Sequence, residues 1–155
     1  MIWGIIMLHG LNNVPLLGVK ECFNGDVLVY LEIKQNVFSV MLLCAQKYVR
    51  KLVKSNELSP LSEDEAKAIN LYTQESNLYK KLNELLRARS RENLKPLFPY
   101  LKLLLTALHK LTPIETTVYR GVKKDLRGAY PEEEDFVWWG FSSTTAKMSC
   151  LESFL

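Results

Sequence analysis

The sequence has few residues of the kinds that build disulfide scaffolds or metal sites. Its 155 residues include three cysteines and two histidines. An odd number of cysteines at wide spacing (Cys22, Cys44 and Cys150) gives no disulfide framework and matches no metal-ligand pattern. We therefore expect reduced thiols, a reducing compartment and no bound metal.

The sequence also lacks a large excess of charge of either sign. The formal net charge is +3, from 20 basic and 17 acidic residues. Proteins that bind nucleic acid usually concentrate basic residues on one face, whereas these are spread along the chain. The composition therefore does not indicate a nucleic-acid partner, and the loose basic clusters at 47–51 and 87–91 are typical of solvated helix faces.

Long hydrophobic runs are missing as well. The apolar start, Met1–Leu8, is much shorter than the ~20 residues that a membrane span needs. No basic residue precedes it and no small-residue cleavage site clearly follows it. We predict neither a signal peptide nor a transmembrane helix, expect no membrane partner, and favour a cytoplasmic location.

The first 55 residues give weak structural signals. Asp26–Ile33 is rich in β-branched and aliphatic residues and follows the turn dipeptide Asn24-Gly25, which predicts a strand. The segment from Val37 to Leu52 is apolar near helical spacing and predicts a helix. Either segment could be the other type.

From Ser59 the helical signals are stronger. Ser62 and Glu65 form a capping box that predicts a helix start. That helix continues through Ala66, Ile69 and Tyr72. A second helix carries one apolar face, formed by Leu78, Leu82, Leu85 and Leu86.

A third helix is predicted by a leucine stripe at helical period, which indicates core packing. Pro96 and Pro99 fit its start, where a missing N–H does little harm, and Pro113 ends the helical region. The stripe consists of Leu97, Leu101, Leu104, Leu105, Leu108 and Leu111.

The period then changes to one typical of strands. Residues 115–122 and 136–139 are β-prone, a charged loop separates them, and 146–155 could start another helix. Helices followed by strands predict an α+β domain. Two strands make no stable sheet alone and the chain ends on apolar residues, so we expect the sheet to be incomplete and sequence to be missing downstream.

Two short motifs could carry chemistry. Arg120 offers a planar, permanently charged group suited to phosphate, and Gly121 would let a ligand approach the backbone. Hydroxyls at Ser143, Thr144 and Thr145 both donate and accept hydrogen bonds, so they could orient a ribose. Each motif alone also fits a solvated strand end whose hydroxyls bond to local backbone.

Together, Tyr119-Arg120-Gly121 and the later run Gly140 to Thr145 resemble the mono-ADP-ribosyltransferases of the arginine–serine–glutamate class. The preceding helices and the Leu-Lys-Pro-Leu-Phe-Pro-Tyr-Leu segment resemble the NAD–arginine transferases of that class. The resemblance covers roughly 59–155. It implies an α+β fold in which N-terminal helices pack on the first part of a mixed or antiparallel sheet.

The resemblance also implies roles for single residues. Arg120 matches the arginine that contacts the NAD phosphates, and Gly121 matches the position beside the nicotinamide amide. Ser143 matches the first serine of a Ser-Thr-Ser motif and Thr144 its middle residue. Thr145 departs from the pattern but keeps the hydroxyl. On this basis Arg120 and Ser143 are expected to be catalytic, and all five residues to bind NAD.

The third motif of the class, a Glu/Gln-x-Glu on a later strand, has no counterpart after Thr145. Its last glutamate stabilises an oxocarbenium-like state, as a carboxylate does in glycoside hydrolysis. Glu132-Glu133-Glu134 lies between the first two motifs and indicates a solvated charge run. We therefore expect a parent enzyme that transfers ADP-ribose from NAD to a protein side chain, and a chain that lacks turnover.

These expectations divide the chain into two parts. Residues 1–55 receive no role, and 56–155 form a partial catalytic domain with a helical lobe at 59–111 and NAD-site strands at 115–145. The partners implied are NAD and a protein acceptor, arginine being favoured. The alternatives are a non-catalytic helical interaction module, an NAD-binding remnant, and a fragment that folds poorly.

Overall fold

The structure is a computed structural model, and it describes residues 11–121 and 139–151. The chain divides into two compact units, and the described residues pass from one to the other between Thr112 and Pro113. We call the described residues before this point the helical unit and the described residues after it the motif unit.

Five α-helices form the described part of the helical unit: α1 (Gly25–Tyr30), α2 (Gln35–Lys54), α3 (Glu63–Thr73), α4 (Asn77–Arg87) and α5 (Phe98–Lys110). Short 3-10 helices lie at Leu11–Asn13 and Glu92–Leu97. Helix α3 is central, since it packs against α2, α4 and α5. The 3-10 helix Glu92–Leu97 contacts both α4 and α5.

Leucine is the most frequent residue of the core, and most of the buried leucines come from α4, from the 3-10 helix Glu92–Leu97 and from α5. Five leucine side chains are completely buried: Leu71, Leu78, Leu82, Leu94 and Leu97. Full burial of one such side chain stabilises the fold by about 1.5–3 kcal/mol. The helical unit therefore has an apolar interior of its own.

An aromatic cluster joins the N-terminal part of the chain to α5. The ring of Phe23 lies 4.8 Å from that of Phe38 and 4.9 Å from that of Tyr100, between centroids. The hydroxyl of Tyr100 donates to the backbone oxygen of Ala68 at 2.9 Å, which satisfies it in the core. Burial raises the pKa of Tyr100 well above its ordinary value, so it stays neutral.

Helix α1 replaces the predicted strand at Asp26–Ile33, so that prediction is wrong. Asn24 caps the helix, because its side-chain oxygen accepts from the Val27 N–H at 2.9 Å. Val27, Leu28 and Leu31 are buried while Val29 is 77% exposed. Burial at helical spacing here outweighs the strand preference of β-branched residues.

Both α1 and α2 end in the same hydrogen-bonded turn. After α1, Glu32 has φ 56° and the Ile33 N–H donates to the Leu28 oxygen at 2.9 Å. After α2, Asn56 has φ 58° and the Glu57 N–H donates to Leu52 in the same way. This is the Schellman motif, which satisfies carbonyls at the end of a helix.

The predicted helix at Val37–Leu52 is confirmed by α2, but its buried face differs from the expected one. Phe38, Met41, Ala45 and Val49 face the core. Of the residues that suggested the helix, only Met41 is fully buried, and Val37, Val40, Cys44 and Tyr48 are exposed. Helix α2 therefore has a second apolar surface that the core leaves uncovered.

The predicted capping box is confirmed at the start of α3. The Ser62 N–H donates to Glu65 at 2.8 Å, and Ser62 accepts from the Glu65 N–H at 3.3 Å. Glu65 is only 2% exposed, and Lys110 of α5 contacts its carboxylate at 2.7 Å. Burial alone would raise the pKa of Glu65, but the hydrogen bonds from Lys110 and Ser62 outweigh it and lower that pKa.

The two leucine-rich helices are confirmed as well. Helix α4 buries Leu78, Leu82, Leu85 and Leu86, the four residues that predicted it. Helix α5 has Pro99 in its first turn, while Pro96 lies in the preceding 3-10 helix. Leu111 follows α5 and is exposed, so the buried stripe ends earlier than predicted.

The α+β fold class is wrong for the described residues, which contain helices and no strand. Within 115–121, only Tyr119 pairs with another segment, in an isolated bridge. A β-prone sequence becomes a strand only when a neighbouring segment pairs along it. Val122 and the second β-prone run up to Trp138 lie outside the described residues. In the described part of the segment predicted to start a helix, 146–151, there is a 3-10 helix, Met148–Leu151, and 152–155 lie outside the described residues.

Candidate functional site

A single antiparallel bridge brings the two sequence motifs together. The Tyr119 N–H donates to the Thr145 oxygen at 2.8 Å, and the Thr145 N–H donates to the Tyr119 oxygen at 2.9 Å. Residues that exchange both hydrogen bonds in this way fix the local register. The register places Arg120 level with Thr144, and Gly121 level with Ser143.

Arg120 is held by a serine of the second motif. Its Nη1 donates to the Ser142 Oγ at 2.6 Å. Arg120 is exposed and Ser142 is half-buried. The remaining guanidinium N–H groups form a planar donor fork that matches a phosphate.

The serine that contacts Arg120 is Ser142, which the motif comparison did not single out. In extended backbone, side chains alternate between two faces. With the register set at Tyr119 and Thr145, this alternation puts Arg120 on the same face as Ser142 and Thr144. Ser143 falls on the opposite face. The alternation identifies Ser142 only once this register is known, and the sequence alone does not provide the register.

The hydroxyls of Ser143 and Thr144 are both exposed. Within the described part of the chain, neither has a hydrogen-bond partner that would occupy it. Both remain available to a ligand as donors and acceptors. Because alternation puts these two residues on opposite faces of the backbone, one ligand would have to reach around the backbone to contact both.

Thr145 has a different local role. Its Oγ1 accepts from the Lys147 N–H at 3.1 Å and lies 3.3 Å from the Lys147 oxygen. Threonine hydroxyls commonly bond to backbone two residues on and so form a turn. The hydroxyl of Thr145 therefore shapes the chain after the bridge.

Aromatic side chains border the second motif. Trp139 is 42% exposed, and Phe141 is half-buried. An exposed indole offers a flat apolar surface on which a ring could stack. Trp138 and the acidic run Glu132–Glu134 lie outside the described residues.

Among the residues that the structure describes, no three metal-ligating side chains are grouped. Within the same residues, no helix combines the length and the apolar character that crossing a membrane requires.

Comparison with known proteins identifies the class of protein to which this site belongs. The family model described as NAD:arginine ADP-ribosyltransferase matches residues 32–154. Searches of curated proteins and of solved structures found no significant match. The matched range includes α2 through α5 and both motifs, and it begins earlier than the resemblance of 59–155 did.

The chain therefore belongs to the NAD:arginine ADP-ribosyltransferase family. The suspected family is confirmed. NAD is the substrate from which this family transfers ADP-ribose.

Proposed function

We propose that the motif unit binds NAD through Arg120, Gly121, Ser143, Thr144 and Thr145, and that the parent activity is transfer of ADP-ribose to a protein side chain. The observation that carries the proposal is the bridge between Tyr119 and Thr145. It brings Arg120 beside the serine–threonine run although the two motifs are 22 residues apart.

Arg120 supplies the charge that the pyrophosphate of NAD requires. A guanidinium binds phosphate oxygens through two parallel N–H donors. One of its nitrogens is directed by Ser142, which reduces the freedom lost when a ligand binds. Arg120 is accordingly the residue on which affinity depends most.

The backbone and hydroxyls beside Arg120 complete the contacts. Gly121 has no Cβ, so the nicotinamide amide could approach its backbone closely. Ser143 and Thr144 offer exposed hydroxyls to the nicotinamide ribose. Thr145 contributes through the turn that its hydroxyl forms with Lys147.

Transfer itself needs a carboxylate. The bond from C1′ of the ribose to nicotinamide breaks with its electron pair leaving on nicotinamide. The acceptor nitrogen then bonds to C1′ and loses a proton. A carboxylate stabilises the intervening cationic ribose. In the 155 residues, Glu152 is the one acid after Thr145, and it is not part of a Glu/Gln-x-Glu motif. We therefore propose that these residues bind NAD and do not turn it over, with arginine as the acceptor of the parent activity.

Calorimetry with the purified 155-residue chain tests NAD binding. We expect heat on titration with NAD, and a loss of affinity of about 10- to 100-fold in Arg120→Ala, as for a hydrogen bond to a charged group. Arg89→Ala is the matched control, because Arg89 is exposed in the helical unit. No heat at millimolar NAD, or equal affinity in Arg120→Ala, would overturn the proposal.

Turnover is tested separately with labelled NAD and a small guanidino acceptor. We expect no label transfer above background. Robust transfer that Arg120→Ala abolishes would contradict the missing-carboxylate part of the proposal while supporting NAD binding. Calorimetry therefore tests NAD binding, and label transfer separately tests the absence of turnover.

A further inference from the structure

Helix α2 carries an unusual charge pattern. It contains four basic residues and no acidic one. The basic residues, Lys47, Arg50, Lys51 and Lys54, are all exposed. Cations in the last turn suit the helix dipole, but Lys47 and Arg50 lie before that turn.

In the neighbouring helices α3 and α4, lysines form ion pairs with carboxylates. In α3, Lys67 pairs with Asp64 at 3.1 Å, and in α4, Lys81 pairs with Glu84 at 3.6 Å. Within the described part of the chain, no carboxylate forms an ion pair with the four basic residues of α2. The charge of α2 is therefore left for water or for a partner.

The same helix exposes apolar side chains on its outer face. Val40 is 61% exposed. The side chains of Val37, Leu43 and Tyr48 are each 45–47% exposed. Cys44 is an exposed free thiol. These residues are separate from the buried stripe that packs α2 against the core.

Two valines, Cys44 and three lysines share one face. Positions 37, 40, 44, 47, 51 and 54 are separated by three or four residues, so they form one row along the helix. The first half of this row is apolar and the second half is basic. The row extends for about 26 Å at 1.5 Å per residue. We call it the α2 row.

This order distinguishes between kinds of partner. A helix that lies on a membrane buries its apolar face and keeps its cations on the opposite polar face, whereas the α2 row has both in succession on one face. A nucleic-acid backbone would use the basic half alone. A protein surface with an apolar part followed by acidic side chains complements both halves.

We propose that the α2 row is a docking surface for an acidic protein segment with aliphatic side chains at one end and glutamate or aspartate at the other. The apolar half excludes water from the contact, and the basic half selects the acidic partner and sets its direction. The proposal does not depend on NAD binding.

A designed peptide tests the docking surface. The probe is a labelled helical peptide of about 18 residues, which matches the length of the α2 row, with leucines in one half and glutamates in the other half of one face. We expect binding by fluorescence anisotropy, weakened by salt. We also expect weaker binding when its leucines are replaced by serine.

Matched variants locate the contact. The triple variant Lys47→Gln, Lys51→Gln and Lys54→Gln should lose at least about fivefold in affinity, since each exposed charge pair contributes modestly. Lys20→Gln, Arg87→Gln and Arg89→Gln together remove the same charge from exposed positions elsewhere and should bind as wild type. Circular dichroism verifies that both variants are folded.

Cys44 provides a direct reporter within the row. Burial, with the nearby charges of Glu21 and Asp64, raises the pKa of Cys22 to about 12, so Cys22 reacts slowly with alkylating agents. In a Cys150→Ser background, the peptide should slow alkylation of Cys44. Equal loss of affinity in both triple variants, unchanged Cys44 alkylation, or Cys44 protection by anionic vesicles and not by the peptide would overturn the proposal.

Discussion

The helical unit and the motif unit differ most in what surrounds their side chains. In the helical unit, α3, α4 and α5 bury complete leucine side chains, and a buried carboxylate is paired. Among the described residues 113–121 and 139–149, no side chain is fully buried. Stability and candidate chemistry therefore lie in different parts of the chain, and substitutions should separate them.

Removal of a core leucine is expected to have the largest effect. Leu71 of α3 is completely buried, and Leu71→Ala should lower the free energy of unfolding by about 2–5 kcal/mol. Denaturant unfolding followed by circular dichroism measures this loss. Leu43→Ala, at an exposed position of α2, is the control and should cost far less. Equal losses would show that the two leucines have similar surroundings.

Loss of charge at Glu65 should have the next largest effect. At neutral pH, Glu65→Gln removes the contact with Lys110, and we expect a loss of about 1–3 kcal/mol. Lys110 is 42% exposed, which keeps the loss below that of a fully buried pair. Glu84→Gln, whose carboxylate is exposed, should change stability little.

The effect at Glu65 should depend on pH in one direction. The folded state lowers the pKa of Glu65 below 4.5, so its contribution is present above that pH and is lost as the pH falls through the folded pKa. The stability difference between wild type and Glu65→Gln should therefore shrink below about pH 4.5. A constant difference between pH 7 and pH 3 would contradict the assignment.

In the motif unit, Ser142→Ala should affect affinity and not stability. Loss of the hydrogen bond from Arg120 should weaken NAD binding about 2- to 10-fold, as for a typical hydrogen bond. Ser142→Thr keeps a hydroxyl and should recover most of that affinity, and Ser149→Ala is an exposed control. Unchanged affinity in Ser142→Ala would show that Ser142 does not orient Arg120.

The smallest effect should be a gain in stability at the end of α1. Glu32 has a positive φ of 56°, which costs a residue with a Cβ about 1–2 kcal/mol. Glu32→Gly removes that strain but adds freedom to the unfolded chain, so we expect a gain of about 0.5–1 kcal/mol. Asn56→Gly is the matched comparison and should gain less, since asparagine tolerates this conformation. Thermal unfolding measures both, and a loss in Glu32→Gly would contradict the expectation.

The same contrast explains what the sequence could predict. Helices α3, α4 and α5 have strong local signals, namely the capping box at Ser62, the leucine periodicity and Pro99 in a first turn. Each signal acts within a few residues of its cause. Structure of this kind can be derived from one sequence.

Structure that depends on distant partners was predicted less well. Val27 and Val29 favour a strand locally, but burial of Val27 against the core makes α1 a helix. The β-prone residues around Tyr119 form one bridge and no strand among those described. The contact from Arg120 to Ser142 needed the register of that bridge, which propensities do not provide.

The cluster of Phe23, Phe38 and Tyr100 has a consequence for where the chain can be cut. The family match begins at residue 32, yet Phe23 packs on α2 and α5, and Lys102 of α5 donates to the backbone oxygen of Asn12 at 3.2 Å. A protein trimmed to the matched range would lose α1 and expose the ring of Tyr100 that Phe23 covers. The segment that packs into one core is therefore longer at its N-terminal end than the segment that the family model matches.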